Sequence, residues 1–342
     1  MARAKITSTD VARLAGVSQS AVSRVFTPGA SVSKKTADKV RAAAEELGYR
    51  PNVLARSLIT GKSKIIGLIV AYLDNQFYPD ALERLSKALQ DKGYHLLVFI
   101  SPGTGENVDQ VVDELMDYRV DGIITASVGI SDEITNRCED AGIPVVLFNR
   151  GQDDERLSSV TSANVDGGRR IAEFLIAGGH RRIAHIAGWT GASTGRDRRD
   201  GFLSGLAAAG IDPVAVLDGN FRREDAIKAA SAMFEDGAHP DAIFVGNDHM
   251  ACAVMDELRG SLGLRVPENV SVVGYDDVPL AAWGAYELTT WRQPSNRMVE
   301  ATVSLLLGQI DDPNRRSEKR EISGRLIIRS SARVPEGWED QV

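Results

Sequence analysis

The chain has 342 residues and a formal net charge of −7, with 43% hydrophobic and 25% charged residues, proportions that argue against wholesale disorder and leave room for two or three compact units. No apolar run approaches the roughly 20 residues that cross a bilayer, and the opening "MARAKITSTD" lacks the apolar core of an export signal. Cys138 and Cys252 have no metal-ligand spacing and read as reduced, packed thiols, so a cytoplasmic protein is expected.

In chain order, the first feature is "TSTDVARLAGVSQSAVSRVF", residues 7–26. Thr7 is placed to cap a helix with Asp10 at its third position, and Val11, Ala12, Leu14 and Ala15 give it an apolar face. Gly16 supplies the left-handed residue that ends a helix at little cost. Ser18 caps a second helix that turns Ala21, Val22 and Val25 inward and leaves Gln19, Ser20, Ser23 and Arg24 outward. This is the pattern of a helix-turn-helix, whose second helix enters a DNA major groove. Ser33 caps a third helix, "KKTADKVRAAAEEL", ending at Gly48. Pro51 then starts a short helix to Gly61, and about ten residues are too few to be helical alone.

Charge supports the same reading. Residues 1–64 carry twelve Lys and Arg against four acids, a net of +8, which leaves −15 for the other 278 residues. A basic head on an acidic body points to a polyanionic partner for the head.

From Lys64 onward, apolar segments alternate with amphipathic ones. "SKIIGLIVAYL", "YHLLVFI", "DGIITAS", "PVVLFNR", "SSVTSA", "RRIAHIAG", "DAIFVGND" and "VSVVGYDD" read as buried parallel strands. Helices such as "PDALERLSKALQDKG", "ENVDQVVDELMDYR" and "DEITNRCEDAG" separate them. The pattern predicts two doubly wound lobes with a cleft beyond the carboxyl ends of their strands. "GWTGASTG" (188–195) has no following Lys-Ser/Thr and reads as a cleft loop, not a phosphate cradle. Catalysis finds no support. The five histidines show no metal spacing, no Ser or Cys sits in a nucleophile elbow, and no motif demands a cofactor.

The ordered motifs "TDVARLAGVSQSAVSRVF", "ASVSKKTADKVRAAAEELGYRPNVLARSL", "SKIIGLIV", "NRGQ", "GFLSGL", "AIFVGNDHMA", "VSVVGYDD" and "ELTTWRQP" resemble the LacI/GalR family of bacterial transcription regulators along nearly the whole chain. The resemblance implies a small all-α helix-turn-helix head (1–48), a hinge segment (49–63) and an α/β body (64–342). The body would be two parallel-sheet lobes of periplasmic-binding-protein type. The first lobe would take about 64–163 plus 293–322, and the second 164–292 plus 323–342.

The family pattern also assigns roles. Gln19 and Ser20 stand where base edges are read, and Arg24 matches an operator contact. Thr7, Ser18, Ser23, Ser31 and Thr36 are candidates for phosphate contacts. Leu58 matches a hinge leucine that wedges the minor groove, with Arg56 in the same groove. In the body, residues at strand ends are the physical candidates, and the pattern selects Phe77, Tyr78, Ser127, Asn149, Arg150, Arg198, Phe221, Asn247 and Asp276. Asp248 is either a further contact or the cap of the helix after it, and Trp283 is a further aromatic candidate.

Aromatic faces with Arg, Asp and Asn suit a polyhydroxylated ligand, so a sugar or sugar derivative is expected. "SANVDGG" departs from the family's Asp-Asn pair by placing Ala163 before Asn164, which puts a hydroxyl contact there in doubt. The implied protein is a repressor, homodimeric on a pseudo-palindromic double-stranded DNA operator, nucleoid-associated when bound and released by its ligand.

Overall fold

A computed structural model describes residues 6–27, 30–50, 62–101, 108–235 and 237–338, and the chain divides into a unit ending at Ser63 and one beginning at Lys64. In the first unit, α1 (Ser8–Ala15), α2 (Gln19–Val25) and α3 (Lys34–Leu47) follow their local signals. Asp10 accepts hydrogen bonds from the Thr7 backbone N–H at 3.0 Å and hydroxyl at 2.7 Å. The Ser18 and Ser33 hydroxyls accept from the N–H groups of Ala21 and Thr36, each at 3.2 Å. Gly16 and Gly48 end α1 and α3 at φ 65° and 67°, a conformation costly for any residue with a Cβ.

Val11, Ala12, Ala15, Val22, Val40, Ala43 and Ala44 form the core of this unit. Leu14 does not join it and is 47% exposed. The buried stripe of α1 runs through positions 11, 12 and 15, and at 100° per residue position 14 falls off its edge. Ala21 and Val25 are only half-buried, which leaves Val22 as the one fully buried contribution of α2. The segment 51–61, with Arg56 and Leu58, lies outside the described residues.

The second unit contains two six-stranded sheets. The first runs β11-β5-β4-β3-β1-β2 and is wholly parallel. It is built from β1 (Ile65–Val70), β2 (His95–Ile100), β3 (Gly122–Ala126), β4 (Val145–Phe148), β5 (Ser158–Ser162) and β11 (Lys319–Ile322). Among the described residues four helices cover it: α4 (Phe77–Gln90), α5 (Val108–Asp117), α6 (Asp132–Asp140) and α11 (Ser295–Asp311). Leu85, Leu89 and Leu306 pack on one face, and Val112, Leu115 and Ile134 on the other. β2 is not the buried strand expected from its apolar run. Among the described residues it pairs only with β1, so Val98 and Ile100 remain 37% and 56% exposed at the sheet edge.

The second sheet runs β12-β10-β9-β8-β6-β7, from β6 (Ile183–Ala187), β7 (Ala215–Asp218), β8 (Ala242–Val245), β9 (Ser271–Asp276), β10 (Thr289–Arg292) and β12 (Arg325–Ile327). Only β12 is antiparallel to its neighbour. α7 (Asn164–Ala177) and α8 (Ser193–Ala208) cover one face, and α9 (Arg223–Glu235) and α10 (Asp248–Gly260) the other. The chain passes between the sheets three times: from β5 into α7, from β10 into α11, and from β11 into β12. Among the described residues no helix is long and apolar enough to cross a membrane.

Candidate functional site

On the first unit, Gln19, Ser20, Ser23 and Arg24 all lie exposed on α2, and Thr7, Ser18 and Ser31 are exposed beside it. Thr36 is half-buried, and its hydroxyl shares a hydrogen bond with Ser33 at 2.9 Å. Gln19 is held across the turn, its Nε2 donating to Ser8 Oγ at 3.0 Å. Arg13 spends its charge on Asp10 at 3.4 Å, a carboxylate that Thr7 and then Arg13 hold below its ordinary range. The result is an exposed, polar face on α2, and a major groove admits an α-helix.

The second site lies between the sheets. α7 and α8 approach backbone to backbone, because a Cβ on Gly168 would lie 2.2 Å from the Arg198 carbonyl oxygen and one on Gly201 2.0 Å from that of Val165. This closeness brings Arg198 to Asn164. Arg198 Nε donates to Asn164 Oδ1 at 2.9 Å and Nη1 to the Gly246 carbonyl at 2.7 Å, with Asp276 Oδ1 3.4 Å from Nη2. The guanidinium also lies 3.7 Å from the centre of the Tyr275 ring. Ala163 offers no polar contact, and the neighbouring Asn164 orients Arg198 instead.

Around Arg198 the structure gathers Tyr78, Asn149, Arg150, Phe221, Asn247 and Asp276. Ser127, Asn149, Phe221 and Asp276 all have positive φ, at 63°, 55°, 58° and 126°. Of these, Asn149, Phe221 and Asp276 line the cleft. Asn247 caps α10 through the Met250 N–H at 2.9 Å. Phe221 lies against Gly188, where a Cβ would come within 2.1 Å of its ring; the glycine-rich loop is therefore a wall support.

Four expected residues stand outside this lining. Phe77 stacks on Phe148 at 6.1 Å inside the first lobe, because its place at the start of α4 turns it under the sheet. Ser127 contributes its carbonyl, which accepts from Arg150 Nη2 at 2.5 Å, while its own hydroxyl is turned to the Ala126 carbonyl. Asp248 is neither cap nor lining. Its buried carboxylate accepts from the Val278 N–H at 3.0 Å and the Thr290 hydroxyl at 2.6 Å, and burial, with Asp276 nearby, raises its pKa to about 7. Trp283 is 60% exposed, away from these residues.

Tyr72, Asn75 and Thr194 join the cleft without having been expected. The first two follow β1 by a few residues and Thr194 opens the helix after β6, so the strand-end rule that selected the others reaches them too.

The lobes are closed over this site. Asn75 Nδ2 donates to Asp276 Oδ2 at 3.3 Å, the Gly151 N–H to Ser193 Oγ at 2.8 Å, and the Leu280 N–H to Gln76 Oε1 at 3.3 Å. His249 and Asp74 stand 3.8 Å apart across the same gap. The lining leaves about 10 Å³, room for roughly one water. Burial raises the pKa of Asp276 against the pull of Arg198, and raises those of Tyr72 and Tyr78. Among the described residues no three His, Cys, Asp or Glu side chains gather to hold a metal.

Both parts of the chain are similar to known proteins. Residues 7–52 match the model of the bacterial regulatory proteins of the lacI family, and residues 172–332 a periplasmic binding protein-like domain. The HTH-type transcriptional repressor PurR of Vibrio atlanticus (strain LGP32) is 31% identical over 328 residues, 95% of this chain and 98% of that protein. A lac repressor dimer bound to operator and the anti-inducer ONPF superimposes with a TM-score of 0.86 at 30% identity, covering 95% and 98% of the two chains. The transcriptional regulator CelR in complex with cellobiose gives 0.73 at 31%, covering 96% and 100%. The chain thus belongs to the lacI family of bacterial regulatory proteins, DNA-binding regulators and not enzymes.

Proposed function

We propose that the protein is a homodimeric transcriptional repressor whose grip on a pseudo-palindromic operator is set by a sugar-class molecule in the cleft. Its relatives support this: PurR is a repressor, the lac repressor was captured as a dimer on operator, and CelR holds cellobiose. Gln19, Ser20 and Arg24 read base edges, and Thr7, Ser18, Ser23, Ser31 and Thr36 hold the backbone. Arg56 and Leu58 serve the minor groove. The protein works in the cytoplasm, at the nucleoid when bound to DNA. Tyr78, Asn149, Arg150, Arg198, Phe221, Asn247 and Asp276 take the ligand.

One observation carries the reading. Of the side chains best suited to grip a hydroxylated ligand, Arg198 pairs with Asp276, and Asn75 ties Asp276 across the lobes. A ligand that enters must replace that tie, so occupancy and lobe geometry are one equilibrium, and differential affinity for the two geometries is all that allosteric control needs.

The test is selection of duplexes from a random pool followed by anisotropy titration of the full-length protein. A palindromic duplex should be preferred, with affinity falling at least tenfold between about 50 and 200 mM salt. Titration with mono- and disaccharides, sugar acids and purines should then release or tighten the complex. Absence of any preferred palindrome would reject the regulator reading.

A further inference from the structure

The cleft's two arginines are not equivalent. Arg198 has its carboxylate, Asp276. Arg150 is 9% exposed, and its Nη2 donates to a neutral carbonyl, that of Ser127. Its guanidinium carbon lies 5.7 Å from the centre of the Trp189 ring, and its Nε is buried with no hydrogen-bond partner. Among the described residues no carboxylate pairs with it, and the charge of Arg196 bears on it with the same sign. The Tyr72 and Tyr78 hydroxyls beside it stay neutral, since burial raises both. A buried charge without a partner costs several kcal/mol, which a ligand of opposite charge recovers. The adjacent Asn149 leaves its Oδ1 buried without a donor, where a ligand hydroxyl would fit.

We propose that the effector is a hydroxylated anion, a sugar-like polyol that places a carboxylate or phosphate on Arg150 and a neighbouring hydroxyl on Asn149 Oδ1. Both residues directly follow the same strand, β4, and both line the cleft, where one ligand would meet both. A neutral sugar satisfies Asn149 and Asp276 but leaves the Arg150 guanidinium uncompensated. The inference rests on the cleft being the effector site and adds the charge class of what enters it.

The probes are inorganic phosphate and acetate, with chloride as reference at constant ionic strength. Thermal unfolding is followed for the full-length parent and for R150M, R150Q and R150K. Anions that bind the basic head shift all four proteins alike, so the difference between them is what is read. The parent and R150K should gain a saturable rise of about 2 °C or more that the two neutral variants lack. Whichever of phosphate or acetate produces it names the anionic group. R150Q carries the comparison if R150M does not fold cooperatively. Equal shifts in the parent and a folded neutral variant would overturn the anionic effector while leaving the operator titration, which does not involve Arg150, to judge the regulator on its own.

Discussion

Asn75 and Asp276 meet across the cleft at 3.3 Å, the amide of one lobe donating to a carboxylate of the other that also receives Gln293 Nε2 at 2.7 Å. Arg198 completes the cluster. Replacing Arg198 with Ala strands a buried carboxylate, so urea unfolding should show a loss of about 3–5 kcal/mol. Adding Asp276→Asn should restore part of it, because the unpaired charge is gone. Below its melting temperature the Arg198→Ala protein should bind operator within about threefold of the parent yet ignore the effector, if a coupling of a few kcal/mol resides here. An intact effector response would remove Arg198 from the pocket.

Two buried groups give the protein opposing responses to pH. Burial lowers His185 to about 4 and raises Asp248 to about 7. Stability from neutral His185 is complete above its unfolded value near 6.5 and is lost as pH falls through about 4. That from protonated Asp248 is complete below its unfolded value near 3.8 and is lost as pH rises through about 7. Each is worth about 3–4 kcal/mol, so between pH 4 and 6.5 they offset one another. Denaturant melts across this range should change little for the parent. Asp248→Asn should grow more stable with rising pH, and His185→Phe less stable. Parallel curves for all three would refute the pairing.

Gly188 leaves space for the Phe221 ring, and an added methyl would sit 2.1 Å from it. Gly188→Ala should therefore fold but displace that aromatic wall. We expect effector affinity to fall by about tenfold or more, the scale of 1.4 kcal/mol, with operator affinity unchanged in the absence of ligand. Isothermal titration of parent and variant decides it.

On the DNA face, Gln19 is positioned by Ser8, and Gln19→Ala should cost about 1–3 kcal/mol of operator binding and relax preference at one base position. Thr36→Ala should weaken all sequences alike. Leu58→Ala should reduce operator affinity while effector affinity holds. Binding to a panel of single-substituted operators separates these three patterns.

How legible all this was varied with the physics involved. Caps and left-handed glycines are local, and Thr7, Gly16, Ser18, Ser33 and Gly48 marked the head's helices in the sequence itself. Alternation of apolar strands and amphipathic helices foretold both sheets. Position within a sheet is not local: β2 carries a buried strand's composition yet lies at an edge, and the short β7, β11 and β12 carry little periodicity. The strand-end rule found most of the cleft, but it cannot say which way a side chain turns. Phe77 points into the core, and Asp248 faces Thr290 in place of the cavity. The tie between Asn75 and Asp276 joins positions 201 residues apart, and nothing in either neighbourhood announces it.

The three passages of chain between the sheets bear on how the protein is made. β11, which pairs with β5, ends at Ile322 of 342 residues, and α11, which packs on the same sheet, comes just before it. A ribosome therefore delivers the complete DNA-reading head long before the lobe that follows it can close its sheet. Nascent chains stalled before residue 319 would carry the head but lack β11, the strand that completes the first sheet of the ligand-responsive body.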